Sequence, residues 1–202
     1  MGQVKILSKS ATARGHFASC CYFLSTPTGD RDAEHDSRWR RGATSESILR
    51  AARYDMPMML AVIGGDPERF KPFVELYHRA SEKLGRPVRA IGVHSTGYVA
   101  DTDAQAREEF WPEYKRLRDR IGTERGWPPL KRANFDLQAD HGSLYVGAPE
   151  TVARKIVAVV NSLGISRFDM KYSSGTLPHE KLLRSIELYG SKVIPLVRDI
   201  LG

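Results

Sequence analysis

The chain has 202 residues, 41% of them hydrophobic, with a mean hydropathy of -0.40, which fits a single globular domain. Its formal net charge is +7, but cations and acids interleave, as in Arg116-Leu117-Arg118-Asp119-Arg120. With no recognition module present, that pattern excludes a dedicated nucleic-acid binder and leaves solvated helix faces, or a surface that attracts anionic cofactors.

Residues 1–41 form a segment of divergent composition. Val4-Lys5-Ile6-Leu7 and Phe17–Leu24 are strand candidates, and Thr26-Pro27-Thr28-Gly29-Asp30 reads as a turn. Charged residues dominate Arg31–Arg41. Residues 25–41 therefore carry too little apolar surface to offset roughly 1–2 kcal/mol of chain entropy per ordered residue, and poor packing is expected. Cys20 and Cys21 are adjacent and are the only cysteines, so there is no disulfide framework and a reducing cytoplasm is the expected location. Phe17–Leu24 is too short for a membrane span and precedes no small-residue cleavage site, so neither a membrane segment nor a targeting segment is expected.

From Gly42 the chain becomes regular. Gly42-Ala43-Thr44-Ser45-Glu46-Ser47 opens a helix through Tyr54, with Thr44 or Ser45 as N-cap. Pro57–Ile63 is a continuous apolar run, the pattern of a strand buried on both faces. Gly64-Gly65-Asp66 then turns the chain into a helix from about Pro67 to Leu84. A strand is expected over Val88–Val93, resuming through Tyr98-Val99-Ala100. Asp101-Thr102-Asp103 caps a long helix to about Ile121, and Gly126-Trp127-Pro128-Pro129 breaks it. The stretch from there to Ser143 shows little regular signal and reads as a functional lid.

The last part reads as turn, helix, strand, loop and helix. Leu144–Glu150 leads into a helix that stops at Leu163-Gly164, Phe168–Tyr172 is a strand, and Pro178 and Glu180 open the final helix. Apolar runs thus alternate with segments of helical period. That pattern predicts an α/β fold of about four consecutive strand–helix steps in parallel order, with the weakest strand before Gly42.

Gly42 to Ser47 is the strongest site candidate by spacing. A glycine and hydroxyls at a helix N-terminus can bind phosphate, although the same residues also make an ordinary N-cap. Ala61 and Val62 close one expected strand, and His94 and Ser95 the next. His94 reads first as a plain polar residue at a strand end, and the hydroxyls Ser173, Ser174 and Thr176 as caps. His179-Glu180 has no second His at helical spacing, so no metal site is expected. Gly64-Gly65-Asp66 lacks dinucleotide-binding spacing.

Val146-Gly147-Ala148-Pro149-Glu150-Thr151-Val152-Ala153, Phe168-Asp169-Met170-Lys171-Tyr172, Gly175–Glu180 and Ser185–Tyr189 resemble the C-terminal part of the luciferase-like flavin-dependent oxidoreductases, the family of bacterial luciferase. The resemblance covers residues 42–202. It implies a fragment of a TIM-type (β/α)8 barrel, the C-terminal half, since a complete barrel takes roughly 250 residues. It further implies FMN, or a deazaflavin coenzyme, and a small-molecule substrate, with a monooxygenase-like reaction. On the same basis Gly42, Ala43, Thr44 and Ser47 hold the flavin phosphate, while Ala61, Val62, His94 and Ser95 line the flavin and substrate pocket. Family members have an apolar strand and a Gly-Gly pair where this chain has Arg38-Trp39-Arg40-Arg41-Gly42. No catalytic residue is assigned. The alternative is a non-catalytic half-barrel that self-associates or binds a partner, since uncovered sheet edges invite pairing.

Overall fold

The computed structural model describes residues 40, 41 and 44–202. The expectations placed on residues 1–39, and on Gly42 and Ala43, lie outside the described residues. Two-residue β1 (Arg40–Arg41) leads to helix α1 (Ser45–Arg53), then β2 (Met58–Ala61). A 3-10 turn (Pro67–Phe70) opens α2 (Lys71–Lys83), which is followed by β3 (Ile91–Val99) and α3 (Asp103–Arg125). Next come α4 (Arg132–Asp140), β4 (Leu144–Gly147), α5 (Pro149–Leu163) and β5 (Arg167–Lys171). The chain closes with α6 (His179–Leu188), a π-helical turn (Tyr189–Val193) and α7 (Ile194–Leu201).

Every strand pairing among the described residues is parallel, as the alternation of runs predicts. β3 is the centre of the sheet. Its residues Gly92, Val93 and His94 pair with both β2 and β5, so those two strands lie on opposite edges. Thr96 pairs with both Lys171 of β5 and Leu144 of β4. β2 and β4 therefore follow one another along the same edge of β3.

This arrangement corrects four sequence expectations. The strand predicted at Val88–Val93 begins only at Ile91, and it does not break before Tyr98 but runs unbroken to Val99. Pairing on both edges holds the polar stretch His94-Ser95-Thr96 extended. The stretch up to Ser143 is no irregular lid. It contains α4, whose Phe135 and Ala139 are buried one turn apart, and the fully buried β4 lies just beyond it where a turn was expected. α3 also runs four residues past Ile121, to a left-handed Gly126.

The two faces of the sheet bury different cores. Met58, Leu60, Val62, Ile91, Val93, Phe168, Met170 and Tyr172 pack under α1, α2, α5 and α7. Alternation along each strand sends the intervening residues to the other face. A side chain at Gly92 would run into Met59 Cε at 2.9 Å and Arg167 Cβ at 3.3 Å, which places these three residues together on that second face. Farther along β3 the second face carries a smaller core, in which Tyr98, Leu144 and Val146 meet Ala106, Phe110, Phe135 and Ala139 of α3 and α4. Tyr98 stacks on Phe110 at 5.3 Å between ring centroids. Burial and its bond to Glu109 raise the Tyr98 phenol above its ordinary range, so it stays a neutral donor.

Candidate functional site

Parallel pairing sets the C-terminal ends of β1 and β2 side by side, so the N-terminus of α1 lies at the same end of the sheet as Ala61. Thr44 is the N-cap of α1. Its Oγ1 accepts from the Ser47 N–H at 3.3 Å, and the Ser47 hydroxyl donates to the Thr44 carbonyl at 2.8 Å. Ser47 N–H and Ile48 N–H are thereby used, and the helix geometry leaves the N–H groups of Ser45 and Glu46 pointing outward as donors. Thr44, Ser45 and Glu46 are exposed and Ser47 is half-buried. This donor set suits an anion, whereas the Glu46 carboxylate in the first turn works against one.

The four expected pocket residues divide by strand parity. Ala61 and His94 are register partners, both half-buried, on the face shared with Met59, Gly92 and Arg167. Val62 and Ser95 turn the other way and are fully buried. Val62 belongs to the helix-side core, and Ser95 ties strand ends together. A site on the inner face can therefore use Ala61 and His94 directly, but Val62 and Ser95 only as support.

The same face holds a charged pair that pattern reading passed over. Arg167 Nε donates to Asp169 Oδ1 at 2.8 Å and its Nη2 to Oδ2 at 3.1 Å, with only 4% and 7% of the two side chains exposed. Asp169 is the register partner of His94, and Lys171 that of Thr96. The signal was present in the sequence: opposite charges two apart in a strand must share one face. Among the hydroxyls after β5, Thr176 is held by Glu113 and Arg116 of α3, while the Ser174 Oγ is buried without a hydrogen-bond partner.

A cavity of about 200 Å³ lies elsewhere, where the Asp66–Glu68 turn and the Asp140–Gly142 turn meet α5. Its polar lining is already committed. Glu68 engages Lys71 and Ser162, Asp140 engages Arg107, and Lys155 donates to the carbonyls of Gln138, Ala139 and Leu144. It is therefore a weaker site candidate than the inner face. No group of three or more His, Cys, Asp or Glu residues is placed to hold a metal among the described residues. No helix among them is long and apolar enough to cross a membrane.

A family model described as luciferase-like monooxygenase matches residues 9–167. The chain belongs to that family. The match begins upstream of Gly42 and so takes in part of the segment that the motif-level resemblance leaves aside. Monooxygenase RslO1 from Streptomyces bottropensis superposes with a TM-score of 0.66 and 22% identity, over 77% of this chain and 46% of its own. A type II Baeyer-Villiger monooxygenase in complex with FMN, the oxygenating constituent of 3,6-diketocamphane monooxygenase from the CAM plasmid of Pseudomonas putida, gives 0.57 and 20% over 75% and 45%. The coenzyme F420 dependent tetrahydromethanopterin reductase from Methanopyrus kandleri gives 0.53 and 15% over 77% and 49%.

At such identities the likeness carries the fold alone, a parallel-stranded fragment of a luciferase-like barrel. The chain spans about half the length of the structures it matches. No curated protein matches it.

Proposed function

We propose that this chain forms the C-terminal, phosphate-anchoring half of a flavin-dependent oxidoreductase of the monooxygenase type that acts on a small-molecule substrate. FMN is the cofactor we favour, and a deazaflavin coenzyme is the alternative. The observation that carries the reading is the convergence at one end of the sheet of the α1 N-terminus, with Thr44 and Ser47, and the inner-face pair Ala61 and His94.

The donor set fits a phosphate. Two backbone N–H groups and the positive end of the helix dipole face outward at Thr44–Ser47, the two hydroxyls, now bonded within the cap, can turn to an anion, and Gly42 and Ala43 precede them in the chain. A bound flavin would supply the redox chemistry, and the protein would position and shield it. Thr44 and Ser47 hold the anion, Ala61 allows close approach of a planar group, and His94 presents a ring nitrogen to the pocket. Val62 and Ser95 fix the strand ends from behind. The FMN complex of one solved neighbour supports FMN, and the coenzyme F420 dependence of another supports the alternative. The two adjacent cysteines are compatible with a cytoplasmic setting.

The test is a titration of the purified protein with FMN and with riboflavin, followed by flavin fluorescence. Thr44→Ala together with Ser47→Ala should weaken FMN binding about tenfold or more, at ~1.4 kcal/mol per decade, and leave riboflavin nearly unchanged. Equal losses for both ligands, or no loss for FMN, would show that the anchor lies elsewhere.

One observation favours a second reading. The described residues form five strands in an open sheet, where a closed barrel has eight. A non-catalytic half-barrel that self-associates would be a colourless dimer in solution; yellow colour at flavin stoichiometry supports the enzyme.

A further inference from the structure

The chain's positive charge is concentrated at one place. Residues 115–132 hold seven Lys and Arg against two Asp and Glu, a net +5 out of the chain's +7. They form the second half of α3 and the turn beyond it, where only Gly122 is buried after Phe110 within the helix. Local pairing uses three of the cations: Lys115 with Asp119, Arg116 with Glu113, and Arg132 with Glu108 and Asp136. Arg118, Arg120, Arg125 and Lys131 have no ion pair to a described acid. Complementing the helix dipole accounts for Arg125 in the last turn, but not for Arg118 or Arg120.

At the centre of this patch stands Trp127, 41% exposed. The Arg118 guanidinium lies over its ring at 4.2 Å from the centroid and that of Arg125 at 5.1 Å. The main chain at Trp127 is itself fixed, since its backbone N–H donates to the Gly122 carbonyl at 2.9 Å. Stacking holds both guanidiniums in place, and a contact with the Tyr114 hydroxyl further orients Arg118, which lowers the entropy lost when they engage a carboxylate. The neighbouring Asp119 carboxylate does not compete, because it is taken by Lys115 and by the Leu130 N–H.

We propose that the Arg118–Arg125–Trp127 end of α3 is a docking surface for an acidic protein segment. Trp and Arg dominate the energetics of protein interfaces, and a net positive patch steers an acidic partner toward it. Single-stranded nucleic acid fits less well: its bases bind by stacking on an open aromatic face, and here guanidiniums already occupy the stacking positions.

The test uses fluorescence anisotropy with a labelled peptide of alternating glutamate and glycine, and with a labelled oligothymidylate of equal charge, both at low salt. Arg118→Gln together with Arg125→Gln should weaken peptide binding about tenfold or more. Arg79→Gln together with Lys83→Gln removes the same charge from the exposed side of α2 and should change it by about twofold or less. Arg118 is half-buried and the other three positions are exposed, and far-UV circular dichroism verifies that both variants fold. Equal losses from the two pairs would overturn the proposal in favour of general charge attraction. Tighter binding of the oligothymidylate than of the peptide would overturn it in favour of nucleic acid.

Discussion

The hydroxyl of Ser95 lies 2.6 Å from the carbonyl oxygen of Val62 and 2.8 Å from that of Ser143. A hydroxyl has one proton, so Ser95 serves the two acceptors in alternation. It thereby ties the end of β2 to the entrance of β4 where these strands follow one another along β3. The residue is fully buried, and its role is to hold the strand ends in place.

Ser95→Ala should therefore destabilise the fold by about 1–3 kcal/mol, the cost of leaving buried carbonyls without their donor. Urea denaturation should show a lower midpoint with an unchanged slope. Flavin affinity per folded molecule should hold, in contrast to the Thr44/Ser47 double variant. A variant as stable as the parent would mean that water replaces the hydroxyl.

Gly97 makes the second prediction. A Cβ at this position would fall 2.5 Å from Met170 Sδ and 2.7 Å from the Tyr145 carbonyl oxygen. The sulfur can move, but the backbone oxygen of β4 cannot without shifting the pairing of β3 with β4. Gly97→Ala should cost about 1–3 kcal/mol, as overpacking does, read as a fall in thermal midpoint. Met170→Ala in the same chain should relieve the sulfur contact alone and recover only part of the loss.

Much of this architecture was legible in the sequence because it rests on local signals. The Met58–Ala61 run, the Thr44 cap and the Leu163-Gly164 stop each reflect short-range chemistry. β4 escaped notice because Leu144-Tyr145-Val146 is three apolar residues long, and only the open edge of β3 beyond Ala61 makes a strand of them. α4 escaped because its buried face consists of just Phe135 and Ala139, and the one other large apolar residue between them, Leu137, is exposed and blurs the helical period. At the site, Ala61, Val62, His94 and Ser95 could be placed near strand ends, but not sorted between faces. Sorting requires the register with β5, in which Asp169 lies opposite His94.

Lys155 gives a prediction in pH. Burial pushes its ammonium down to about 8; Arg107 adds to the push and Asp140 opposes it. Its three carbonyl acceptors also favour the charged form. A folded-state value below the unfolded one means that the unfolded chain binds the proton more tightly. Stability therefore rises with pH as the medium passes from about 8 toward the unfolded value near 10.5. Lys155→Met keeps the apolar stem and removes the titration. Denaturation across that window should show a rise in the parent that the variant lacks, and parallel curves would show that the carbonyls cancel the burial.

The buried pair on the inner face supplies the last prediction. Arg167 and Asp169 are both nearly inaccessible, and their attraction offsets a desolvation cost of several kcal/mol per ion. Removing one partner takes away two hydrogen bonds and most of the compensation of the other, nearly inaccessible charge. Asp169→Leu alone should therefore destabilise the chain by about 3–5 kcal/mol, and Arg167→Met alone by a similar amount. Changing both residues together should cost much less than the sum of the single changes, because neither charge is then buried without its counter-charge in this pair. A double-mutant cycle by chemical denaturation measures this directly. Additive losses would mean that the pair does not act as a unit.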